Sequence, residues 1–180
     1  MSHLTTVLRV ATAAALIGGL ACLGIASTAT ATADPDPNNT GSTDDVNTLS
    51  HLMSKGYSLS NCTAQPIEAA QLAALTCGQS PDAAGPVQGK YILFSTTADL
   101  NAMFKTSIKD DVLTTCGDAG QSPTPWHTGN ATTNSGQVAC GTYQGAAEII
   151  WTTDAKNVLS YIRGSNTDVA ALYQWWRTNG

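Results

Sequence analysis

Apolar and polar positions divide this 180-residue chain into helical and extended stretches. Val46, Leu49, Leu52 and Met53 recur at three and four, the spacing of one helix face. Thr43 stands before them as a cap, Asp44 and Asp45 fall in the first turn, and Lys55-Gly56 closes the pattern. Residues 72–77 and 90–95 read as strands on either side of a turn-rich span, 79–89, that holds two prolines. The first is ambiguous, because residues 67–75 are rich in alanine and also suit a helix. A second helix opens at Thr97 or Asp99 and turns Leu100, Met103, Phe104 and Ile108 to one face, with Lys105 and Lys109 on the other.

A polar stretch, 117–136, carries Pro123, Pro125, Trp126 and His127. Three strand candidates follow at 137–143, 147–152 and 157–163, with Gln144-Gly145 placed as a hairpin turn, and they predict an antiparallel meander. A last helix starts at Asn166 or Thr167 and ends near Arg177. Val169, Leu172, Tyr173 and Trp176 form its buried stripe, which leaves Trp175 on the flank. The pattern predicts an α+β domain of two layers, a mainly antiparallel sheet with about three helices.

The N-terminus follows a different rule. Arg9 precedes an apolar, small-residue run, Val10 to Ile25, and a Ser/Thr/Ala stretch ending Ala31-Thr32-Ala33. This is the order of a secretory signal peptide, residues 1–33, cut between Ala33 and Asp34. The run is shorter than the roughly 20 residues that span a hydrocarbon core, which disfavours a retained membrane anchor. Gly19-Leu20-Ala21-Cys22 offers a lipoprotein alternative at Cys22, although Gly19 departs from that pattern. Residues 34–43, without an apolar side chain, are expected to be a flexible leader to a single domain at 44–180.

Export changes how charge and cysteine are read. Without Arg9 the mature chain holds 13 acidic and 7 basic residues and no basic cluster, which argues against nucleic acid as a partner. Five cysteines become an even four, Cys62, Cys77, Cys116 and Cys140, the disulfide pattern of an oxidising compartment. Three connectivities are possible. Joining Cys62 to Cys77 and Cys116 to Cys140 is preferred, because these pairs are nearest in sequence and flank predicted elements. No C-x-x-C spacing suggests a zinc site, and no glycine loop suggests a nucleotide, so no metal or cofactor is expected.

Candidate chemistry is sparse. There is no G-x-S-x-G elbow, and the mature chain has two histidines, His51 and His127. Trp126-His127 on a Pro/Gly-rich loop is the first candidate for ligand contact. Trp175, off the buried stripe, is the second. Asp44-Asp45 and Asp110-Asp111 lack calcium-loop or glycosidase spacing and read as solvated helix ends.

The Asp-Pro-Asp-Pro leader, with Val138-Ala-Cys-Gly-Thr-Tyr143, Ile150-Trp-Thr-Thr-Asp154 and Leu172-Tyr-Gln-Trp-Trp176, resembles a small extracytoplasmic module of mycobacteria and related actinobacteria. That module occurs alone in secreted proteins and as the outer, sensor-like part of some membrane serine/threonine kinases. The likeness covers residues 56–176. It implies a non-enzymatic binding domain that meets an envelope ligand or a protein partner, and transfers no catalytic residue. The alternatives are an envelope-directed hydrolase pairing His127 with Asp118 or Asp154, and a host-directed effector or lipoprotein.

Overall fold

A computed structural model describes residues 36–180 apart from Asn130. The signal peptide, its cleavage site and Cys22 lie outside the described residues. Three helices, α1 (Thr43–Ser50), α2 (Thr97–Ser107) and α3 (Val169–Asn179), accompany eight strands. The strands are β1 (Cys62–Ala64), β2 (Gln71–Cys77), β3 (Gln88–Phe94), β4 (Val112–Thr114), β5 (Thr124–Trp126), β6 (Gly136–Tyr143), β7 (Ala146–Thr153) and β8 (Val158–Arg163). They form one antiparallel sheet in the order β1-β2-β3-β8-β7-β6-β4, and β5 also pairs with β6.

The meander of β6, β7 and β8 forms as predicted. Gln144 and Gly145 both take positive φ, 46° and 75°, which matches the twist of a tight hairpin. The ambiguous alanine-rich segment is strand: β2 lies between β1 and β3, and Ala73, Ala74 and Leu75 are buried on alternating faces. Strands covered on both sides lose the polar alternation that separates strand from helix in a sequence.

The cap falls one residue away from the expected position at α1, where Ser42 rather than Thr43 accepts the Asp45 amide and donates its hydroxyl to the Asp45 carboxylate. Thr96 caps α2 in the same reciprocal way with Asp99, and Asp168 caps α3. The leader is attached to the fold before residue 43. The Asn39 carbonyl accepts the Ile67 amide at 2.8 Å, and Gly41 bridges Ala73. Gly41 has φ +88°, and a Cβ there would sit 2.1 Å from the Leu72 carbonyl oxygen. Backbone pairing needs no apolar side chain, so composition alone gave no sign of it.

Both disulfides join the expected pairs. Cys62 and Cys77 are direct partners across β1 and β2. Cys116–Cys140 ties the segment between β4 and β5 to β6, whose outer edge those two short strands share. Pro125 is tolerated within β5 because an edge strand leaves one side of its backbone unpaired.

The α+β class, the antiparallel sheet and the three helices are as the sequence predicts, but the helices divide between two faces. Leu49 of α1 and Leu172, Tyr173, Trp175 and Trp176 of α3 join Leu75, Tyr91, Ile149, Trp151 and Ile162 in one core. Leu100 and Phe104 of α2 and Ile108 beyond it join Ala74, Ile92, Phe94, Ala139, Ile150 and Leu159 in a second core on the opposite face. Aromatic edges knit the first: Trp176 meets Trp151 at 5.8 Å and Trp126 at 5.6 Å between ring centroids. One short helix cannot cover the second face of so wide a sheet, and part of that face stays open.

Candidate functional site

The open part of the second face is a cleft of about 400 Å3 beside α2. Cross-strand register builds its floor in rows. Ile92 lies opposite Leu159; one row on, Lys90 lies opposite Tyr161 and Tyr161 opposite Ile150; in the next, Arg163 lies opposite Glu148. The floor therefore passes from apolar to charged over three rows. Met103 and Ser107 of α2, and Asp110 and Asp111 beyond its end, line the cleft with these residues.

Glu148 is 3% exposed, between Ala147 and Ile149, whose side chains enter the opposite core. Its Oε1 accepts a hydrogen bond from the Tyr161 hydroxyl at 2.7 Å and another from the Arg163 guanidinium. Arg163 also donates to the Tyr143 carbonyl at 3.1 Å, anchoring the cluster to the β6–β7 turn. Oε2 of Glu148 accepts from no group among the described residues. Burial pushes the Glu148 carboxyl upward, against Tyr161 and Arg163, which hold it down. Burial likewise raises Asp111, to about 6, helped by the charges of Glu148 and Asp110 and opposed by Arg163.

A second cleft, of about 520 Å3, contains the site the sequence pointed to. Trp126, His127, Lys55, Asp118, Tyr173 and Arg177 line it. Trp126 is half-buried and donates from Nε1 to the Thr152 carbonyl at 2.8 Å, while the exposed His127 meets the Thr133 carbonyl through Nδ1 at 3.0 Å. Of the carboxylates considered for a hydrolase, Asp118 shares this cleft with His127 and Asp154 does not line it, and both are engaged by other partners. Asp118 accepts from Arg177 at 2.6 Å and from the Tyr173 hydroxyl at 3.2 Å, which hold its carboxyl below the usual range. Asp154 accepts from the Thr152 hydroxyl at 2.6 Å. Among the described residues neither is hydrogen-bonded to His127, so the orienting contact that a general base needs is not made.

Trp175 is not free on a flank. It is 7% exposed, donates from Nε1 to Asp82 at 2.9 Å and meets Tyr57 edge-on at 6.5 Å. The turn-rich loop between β2 and β3 folds against α3 at this point, passing so close at Gly85 that a Cβ there would lie 2.9 Å from the indole nitrogen. A helix covered from two sides buries residues that a one-stripe reading assigns to solvent.

Asp45 acts in its helix cap, as a helix-end reading implies, whereas Asp110 and Asp111 line the first cleft. The Glu148 cluster escaped the sequence analysis. Its signal was present in outline: an acid inside an apolar strand, Ala146-Ala147-Glu148-Ile149-Ile150, needs a buried partner. No family model, curated protein or solved structure matches this chain.

Proposed function

We propose that this protein is an exported, non-enzymatic binding domain that holds a small ligand in the cleft beside α2. One observation carries the reading: an apolar floor of Ile92, Ile150 and Leu159 leads to a buried, hydrogen-bonded Glu148–Tyr161–Arg163 cluster. Binding sites characteristically combine an apolar cavity with a few fixed polar groups. A buried ion pair is weak support for stability by itself, which favours a role in recognition. Two disulfides, and no helix among the described residues long and apolar enough to cross a membrane, are compatible with an extracytoplasmic location.

Secretion through a signal peptide rests on the N-terminal residue pattern, and an actinobacterial origin with kinship to kinase-linked sensor modules rests on the sequence resemblance. A free-standing module of that kind would meet its ligand or protein partner in the cell envelope or the medium.

Nuclear magnetic resonance titration with a fragment set of neutral, cationic and anionic compounds tests the binding reading. The expected result is saturable shifts of the amides of Ile92, Ile150, Leu159 and Tyr161 by at least one class. If every class leaves these amides unmoved, the cleft is not a binding site.

A further inference from the structure

We infer that the ligand of the cleft is an organic cation: a protonated amine or guanidine joined to a hydrocarbon body. The inference rests on the binding reading above and adds the chemistry of the occupant. Its cationic group would donate to Glu148 Oε2 and to Asp111, and its hydrocarbon part would cover Ile150, Leu159, Ile92 and Met103.

Two independent features point this way. Glu148 is more than nine-tenths buried, yet one of its oxygens has no donor among the described residues, although the residue lines an open cleft. That oxygen is not among the enclosed unpartnered atoms and so stays open to solvent in the cleft, where an incoming charged N–H donor would take the place of water with a stronger bond. The charges of the cleft have the matching sign. Glu68, Asp110, Asp111 and Glu148 face Lys90 and Arg163, and Arg163 is already committed to Glu148. Asp111 is half-buried, and neither ion pair of the described residues includes it. A cation settling between Glu148 and Asp111 relieves the repulsion that those two carboxylates exert on each other.

The same geometry selects against other occupants. An anion would add to a negative field in a site whose guanidinium is already engaged. Among the described residues no three Asp, Glu, His or Cys side chains are gathered to coordinate a bare metal ion. Lys90 projects from β3, on the far side of Tyr161 from Ile150, so repulsion from it orients the cationic end toward Glu148. The apolar rows then receive the hydrocarbon.

Three probes of equal chain length separate the possibilities: hexylammonium, hexan-1-ol and hexanoate, titrated at pH 7.5 into the intact, disulfide-bonded protein. Hexylammonium is expected to bind about tenfold or more tighter than hexanoate, the effect of one charge-assisted contact, while shifting the amides of Glu148 and Ile150. Asp111→Asn, at a half-exposed position, should keep the fold and reduce that preference at least about threefold, and Glu148→Gln should abolish it. Equal or tighter binding of hexanoate or hexanol at the cleft overturns the cationic class and leaves the binding reading standing. Failure of all three probes to move cleft amides removes both. Ammonium-induced shifts scattered over the acidic surface and indifferent to Asp111→Asn also overturn the inference.

Discussion

Asp111 carries the clearest titration in the molecule. Its carboxyl is held near 6 in the folded protein, above the value of a free aspartate, so the folded state binds the proton more tightly than the unfolded chain. The sign follows. Above about pH 6 the ionised group costs stability; as pH falls from there toward about 4 the cost is relieved; below that both states are protonated and no dependence is left. Burial raises the group most, Glu148 and Asp110 add to it, and Arg163 opposes them. Asp111→Asn should therefore stabilise the protein at pH 7.5 by on the order of 1 kcal/mol, a figure reduced for solvent screening at a partly exposed site. Urea unfolding of both proteins at pH 7.5 and 4.5 measures this: the gain should shrink at the lower pH, and a gain that is equal at both values contradicts the assignment.

Among elements, the outer edge of β6 is the most precarious part of the sheet. β4 and β5 are three residues each, too short to persist without support, and Val112 on β4 is 69% exposed. Cys116–Cys140 and the Ser122 hydroxyl secure the segment that joins them; that hydroxyl accepts the Cys140 amide at 2.8 Å and donates to the Cys140 carbonyl at 3.1 Å. Replacing both cysteines by serine should cost about 3 kcal/mol by loop-closure entropy. Hydrogen exchange should quicken at the amides of Thr114 and Ser122 while those of β2 and β3 stay protected. Unchanged exchange at the β6 edge would mean that strand pairing alone holds it.

For the whole molecule, the proposed export joins features distant in the chain: an N-terminal signal and two disulfides closed between residues 62 and 140. The protein recovered from culture medium should begin at Asp34 and show no free thiol under non-reducing mass analysis. Retention of residues 1–33, or a lipid mass on Cys22, would exclude the secreted form, and a free thiol would exclude the bridges. A folded body with apolar clusters on both sides of its sheet has little further face to bury. The second-face cleft is where α2 runs out, and that gap makes a ligand site at this position available.

Sequence by itself determined the elements that carry a strong local signal. The stripe of α2 follows from local periodicity, the β6–β7–β8 meander from strand-forming runs set between turns, the caps within a residue or so from short polar side chains ahead of each helix, and the cysteine pairing from parity and proximity. Tertiary structure decided the rest. β1, β4 and β5 are too short for a periodic signal and exist because a neighbouring strand offers hydrogen bonds. Trp175 lies buried because a loop about 90 residues earlier folds over its helix. The acids were similarly out of reach: Asp111 reads as a helix end and Glu148 as an isolated charge until β7, β8 and the end of α2 bring them into one cleft. Periodicity reports which side of an element meets solvent, whereas a site is built between elements, and only the packing of the sheet against α2 sets that distance.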